Sequence, residues 1–146
     1  MITTTAHRVS ENTTPAAAAR IREATQARIA YFAKHPDAIP RRLHELDREW
    51  DVERVLETGS SSLTLLGLVL GTTYRRKWLL LSLGVQAFFF QHAIQGWCPP
   101  LPVLRRMGVR TAQEIEGERC VLRQLLAEST SRRHSPEATD AQANVR

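Results

Sequence analysis

Between residues 58 and 104 the sequence holds no acidic residue, and its only lysine or arginine residues are the consecutive Arg75, Arg76 and Lys77. A helix that faces water carries charge on its outer side, so this absence argues against an ordinary solvated surface there. Cysteine is nearly missing too. Cys98 and Cys120 are the only two, and they form no CxxC and no metal-ligand spacing, which excludes a disulfide framework and a zinc site. No nucleophile–base triad and no acid pair stands out, so a non-enzymatic protein without cofactor or metal is expected. The first residues, Met1-Ile-Thr-Thr-Thr-Ala-His-Arg8, contain no apolar h-region of a cleavable signal peptide. The first apolar arm is therefore expected to act as its own insertion signal. No internal repeat and no alternating run of strand length is found, which leaves an all-α chain.

The basic knot divides two apolar arms. Leu63-Thr-Leu-Leu-Gly-Leu-Val-Leu70 lies before it, and Trp78-Leu-Leu-Leu-Ser-Leu-Gly-Val-Gln-Ala-Phe-Phe-Phe90 lies after it. A spanning helix needs about 20 apolar residues, within a range of roughly 17–25. The second arm meets that. The first is marginal and carries Ser60, Ser61, Ser62 and Thr64, whose hydroxyls bond back to helix carbonyls and cost less in lipid than charges. The mean hydropathy of −0.30 hides this partition, because the ends are dense in Arg and Glu. Tyr74 and Trp78 flank the knot and Trp97 stands at the far end of the second arm, the placement of an aromatic belt at each interface. The expected fold is thus a two-span transmembrane helical hairpin, spans about 57–74 and 78–96, with amphipathic flanking helices and disordered termini. The competing reading is a soluble bundle with a buried hairpin.

The expected organisation is a disordered segment 1–14, amphipathic helices over 15–57, the hairpin over 58–104, an amphipathic helix over 105–128 and a disordered tail over 129–146. Pro15 opens the first helix and Pro36 stops it. A second helix over about 40–57 carries Leu43, Leu46 and Trp50 as its apolar stripe and is expected to continue into the first arm. It either lies on the membrane surface or packs on the C-terminal helix. Trp50 and Arg54, four apart, are placed to stack. Three prolines in Pro99-Pro-Leu-Pro102 are expected to exclude helix. Thr111-Ala-Gln-Glu114 matches a capping box. The chain has 20 Lys and Arg against 15 Asp and Glu, spread over both ends and the turn. That spread suits a lipid bilayer and forms no focused nucleic-acid patch. Arg41, Arg42, Arg48 and Arg54 with Arg105, Arg106 and Arg110 outnumber the knot, which favours cytoplasmic termini.

Three groups are candidates for function. Gly67-Leu-Val-Leu-Gly71 is a small-residue motif that lets two helix backbones approach, either within the hairpin or across a homodimer. Gln91, His92 and Gln95 share a face of the second arm. They read as a polar lining or relay, or as interhelical hydrogen bonds to Thr64 and the serines, with no carboxylate accompanying His92 inside the hairpin. Cys98, on a proline-broken turn with Arg105 and Arg106 nearby, is a candidate functional thiol, while Cys120 is expected on a packed helix face.

Leu46-Asp-Arg-Glu-Trp-Asp-Val-Glu-Arg54, Gln91-His-Ala-Ile-Gln-Gly-Trp-Cys-Pro-Pro100, Arg105-Arg-Met-Gly-Val-Arg-Thr-Ala-Gln-Glu-Ile115 and Glu118-Arg119 follow in order. Over about residues 38–127 this resembles small bacterial inner-membrane proteins of unknown function, the family that supplies the transmembrane hairpin of membrane-bound rhodaneses of the YgaP type. The resemblance implies an inner-membrane, two-span hairpin, often dimeric. It implies no sulfur transfer, because no rhodanese domain or active-site loop is present. Cys98 matches the hairpin cysteine of the family.

Overall fold

The computed structural model describes Val9 and residues 11–143, with side chains as far as Arg133. Among the described residues all regular structure is helical: α1 (Pro15–Lys34), α2 (Ile39–Arg48), α3 (Val52–Thr73), α4 (Leu79–Gln95), α5 (Leu101–Arg106) and α6 (Ala112–Ala143), with single 3-10 turns at Pro36–Ala38 and Arg76–Trp78. The chain divides into two compact units. One holds the chain up to Arg22 with Trp50–Glu114, and the other holds Glu23–Glu49 with the chain from Ile115 on.

In the first unit, α3 and α4 pack along each other. α3 does not continue from α2, contrary to the expected helix over 40–57. Glu49 turns extended, with ψ 132°, and Asp51 caps a new helix by accepting the Arg54 N–H at 2.7 Å. An aspartate at this position satisfies a donor that no intrahelical carbonyl reaches. The Val52 N–H also leaves the helical pattern, donating to the Arg110 carbonyl at 2.9 Å. Among the described residues one helical stretch, Pro36–Thr73, is long and apolar enough to cross a membrane, and only 11% of its apolar window is buried. α4 has 17 residues, at the lower edge of spanning length. It ends where Gly96 adopts φ 70° and donates its N–H to the His92 carbonyl at 2.7 Å.

The proline-rich segment forms α5, where no helix was expected. Pro102 falls in the first turn of α5, where a missing N–H deprives the helix of no bond. Leu101 of α5 joins Val9, Val52, Leu56 and Cys98 in the core of this unit. Val9 and residues 11–14 belong to the stretch expected to be disordered, yet Val9 is fully buried and Thr13 accepts a hydrogen bond from Arg105 at 3.0 Å. Residues 1–8 and 10 of that stretch lie outside the described residues. Arg105 is itself buried. Its guanidinium grips Glu114 with two bonds of 2.8 and 2.7 Å and donates to the Val109 carbonyl at 2.9 Å. Glu114 closes the capping box: the Thr111 N–H reaches its carboxylate at 2.8 Å and the Glu114 N–H reaches Thr111 Oγ1 at 3.3 Å. Burial alone would raise the Glu114 carboxyl. The Arg105 and Thr111 hydrogen bonds outweigh it and hold the group below the usual carboxylate range.

In the second unit α2 packs on α6, which decides between the two placements open to its amphipathic face. Ile39 and Leu46 are buried with Phe32, Ile115 and Leu122. Glu118 is buried at the centre of a charged contact, with Arg42 Nε at 2.9 Å and Arg28 at 3.3 Å. Glu116 and Arg119 also pair, on the surface. The helix was expected to fade at Ser129 into a disordered tail, but α6 runs on to Ala143. Residues 144–146 lie outside the described residues.

Candidate functional site

Small residues set the α3–α4 contact. A Cβ added at Gly67 would lie 2.5 Å from Ser82 Oγ, 3.0 Å from the Trp78 carbonyl oxygen and 3.1 Å from the Ser82 nitrogen. One added at Gly71 would lie 2.5 Å from Leu79 Cδ2 and 3.1 Å from the Leu79 nitrogen. Both glycines are buried, so the backbones approach where no side chain intervenes. Ser82 Oγ crosses the contact and donates to the Thr64 carbonyl at 2.9 Å. The motif therefore serves packing within one chain, the first of its two expected uses.

The three polar residues of α4 do not act as one lining. Gln91 Nε2 donates to Gln95 Oε1 at 3.3 Å in an exposed pair. His92 is buried instead. Ser60 bonds back to the Glu57 carbonyl at 3.1 Å, and Thr64 Oγ1 is buried without a hydrogen-bond partner, so Thr64 does not make the expected bond. His92 lines a small cavity of about 140 Å³ with Glu53, Glu57, Phe89 and Ala93. The carboxylates beside this histidine come from residues that precede the 58–104 hairpin. Burial, with Asp51 and Glu57 nearby, pushes the Glu53 carboxyl above its usual range. Glu53 Oε1 is buried with no hydrogen-bond partner. The sequence does contain the signal for this pairing. Gly67 meets Ser82, so in antiparallel register Glu57, ten residues before Gly67, falls opposite His92, ten residues after Ser82.

Cys98 is buried in the core, 3% exposed, and burial pushes its thiol up, although a backbone hydrogen bond with Leu101 acts the other way. An activated thiol needs the opposite shift. Arg105, expected to supply positive charge there, is committed to Glu114. Cys120 is the exposed cysteine, the reverse of the expected order. Cys98 lines a second, larger recess of about 280 Å³ with Leu56, Gly59 and Leu63 of α3 and Val85 and Phe88 of α4. Among the described residues no group of three or more His, Cys, Asp or Glu side chains is placed to hold a metal ion.

No family model, curated protein or solved structure matches this chain. The geometry consequently carries the functional reading without a relative beside it.

Proposed function

We propose that this chain is a small integral inner-membrane protein whose α3 and α4 cross the bilayer as a hairpin, with spans at about 57–74 and 78–96. In this reading it serves as a structural or interaction subunit of a homodimer or larger membrane assembly. One observation carries the proposal: the large apolar side chains of the helix pair face outward. Leu65 is 62% exposed, and Leu80, Leu83 and Phe90 are each 68% exposed, with Leu66, Val69, Phe88 and Ile94 also at the surface. A monomer in water rarely leaves so broad an apolar surface uncovered. Tyr74 and Trp78 at the turn, and Trp97 beyond α4, are exposed at the two ends of the pair, as interfacial anchors would be. The resemblance to the rhodanese-associated hairpin family agrees with this reading. The buried, raised Cys98 thiol gives no support to a sulfur-handling role, and the divided Gln91, His92 and Gln95 give none to a pore.

Carbonate extraction tests it: the full chain stays in the membrane pellet and needs detergent for release. Recovery as a soluble monomer without detergent would overturn the proposal. Reporter fusions at the two termini both read cytoplasm, since the flanking arginines outnumber the turn cations.

A further inference from the structure

Resting on that membrane reading, we propose that the apolar recess and the adjoining acidic cavity form one binding site for a phospholipid with an ammonium headgroup. The acyl chain lies along α3 and α4, and the ammonium sits beside Glu53 and Glu57. The recess is walled almost wholly by carbon. Its α3 wall runs from Val55 to Leu63, about 12 Å along the helix axis, in the direction an acyl chain takes through a bilayer. Its lining includes Pro100 and Leu104, beyond the C-terminus of α4, and so reaches the headgroup end of the proposed spans.

Gly59 keeps the recess open. It lines the wall, and a Cβ built on it would meet nothing within 4 Å. A side chain at this position would therefore extend into the space a tail would occupy.

Phe89 lines both cavities, so the apolar recess and the acidic cavity adjoin at its ring. The charged residues of α3 at this end are mostly acidic: Glu53 and Glu57, with the capping Asp51 just before the helix. Arg54 is drawn away to stack on Trp50, 4.8 Å from the ring centre. His92 of α4 completes the cavity wall, and Arg105 of α5 is held by Glu114. A buried carboxylate oxygen without a donor, on Glu53, is matched best by an ammonium, whose charge-assisted bond is stronger than one from a neutral headgroup hydroxyl. Burial, with Asp51 and Glu57 nearby, holds the Glu53 carboxyl above its usual range in the same place.

The test uses the full chain, reconstituted in nanodiscs of equimolar phosphatidylethanolamine and phosphatidylglycerol with matched acyl chains. The particles are then exchanged into detergent and weighed by native mass spectrometry. The wild type retains one lipid per chain, with phosphatidylethanolamine preferred about fivefold. Gly59→Phe, and Val85→Phe as an independent filling variant, lose the retained lipid of both kinds. Glu53→Gln combined with Glu57→Gln retains a lipid but brings the preference to about one. The proposal is overturned if the wild type holds no more lipid than both filling variants, or if the double glutamine variant keeps the preference. A lipid-free dimer that the filling variants dissociate would assign the recess to a second copy and overturn it equally. If carbonate releases the wild type from membranes, the membrane reading fails and takes this site with it. If the wild type stays integral but its lipid is unchanged by filling, only this site fails.

Discussion

Replacing Gly67 with alanine adds a single methyl group at the closest approach of α3 and α4. That methyl would lie 2.5 Å from Ser82 Oγ and within 3.1 Å of two backbone atoms. The serine has little room to yield, because its hydroxyl is engaged with the Thr64 carbonyl. Forcing a methyl into such a contact costs about 1–3 kcal/mol. Alanine also favours helix over glycine by about 1 kcal/mol, which offsets part of that cost. The internal control is Gly84→Ala, on α4, where an added Cβ meets nothing within 4 Å. It receives the helix benefit without the clash. The two variants should therefore differ by about 1–3 kcal/mol, with Gly67→Ala the less stable. Reversible unfolding of the purified chain in mild detergent, followed by circular dichroism, measures the difference. Gly67→Ile should be worse than Gly67→Ala, because the backbone atoms of Trp78 and Ser82 cannot turn aside as a side chain does. If Gly67→Ala and Gly84→Ala agree within about 0.5 kcal/mol, near the usual size of a neutral surface substitution, the close contact does not exist in the folded protein.

Three further outcomes follow from the charged and thiol groups. In single-cysteine variants near pH 7.5, Cys120 should be alkylated by iodoacetamide well ahead of Cys98, since one is exposed and the other is buried with a raised thiol; equal rates would contradict the burial. The Glu114 carboxyl is depressed in the folded chain, so its contribution to stability is complete above the unfolded value of about 4.3 and is lost as pH falls through the lower folded value. Glu114→Gln should flatten stability across that acid range, and an unchanged slope would dismiss the Arg105 pair as its source. Glu118→Ala should destabilise by about 3 kcal/mol, because it leaves Arg42 and Arg28 without their shared anion, whereas Glu116→Ala on the surface should cost under about 1 kcal/mol. Thermal melts of the two variants that coincide would refute that contrast.

Features governed by neighbours in sequence were legible before the structure. Pro36 stopped α1, Thr111 and Glu114 formed their capping box, and Trp50 met Arg54, because each depends on residues at most four apart. Features set by distant contacts were not. Nothing local distinguishes Glu118 from Glu116, and only the arrival of Arg28 and Arg42 from α1 and α2 selects the buried one. The break at Glu49–Asp51 was hidden because Asp51 reads equally well as a polar helix residue; its capping role also depends on Val52 turning its N–H to Arg110. Prolines 99, 100 and 102 do not exclude helix as expected, because Pro102 falls in a first turn, where proline is tolerated. Cys98 stands on a proline-broken turn, a local feature that does not reveal that the turn folds inward onto Val52, Leu56 and Leu101.

The size of side chains on the two faces of the helix pair bears on what surrounds it. In water, a helix pair gains stability by burying its large apolar residues against each other and exposing polar ones. α3 and α4 reverse that order. Gly67, Gly71 and Ser82 meet in the contact, while Leu65, Leu80, Leu83 and Phe90 point away from it. Such an arrangement forgoes the hydrophobic gain at the interface and leaves its apolar area uncovered in water. In lipid the same arrangement costs nothing, because the outward leucines find hydrocarbon and the inner contact is held by close backbone packing and the Ser82–Thr64 hydrogen bond. The polar elements fall into line with this. The basic knot is confined to the turn, and Glu53, Glu57 and His92 are confined to the opposite end of the pair. No ionisable group of α3 or α4 lies between these two ends, which is the distribution that a bilayer imposes on a helix pair that crosses it.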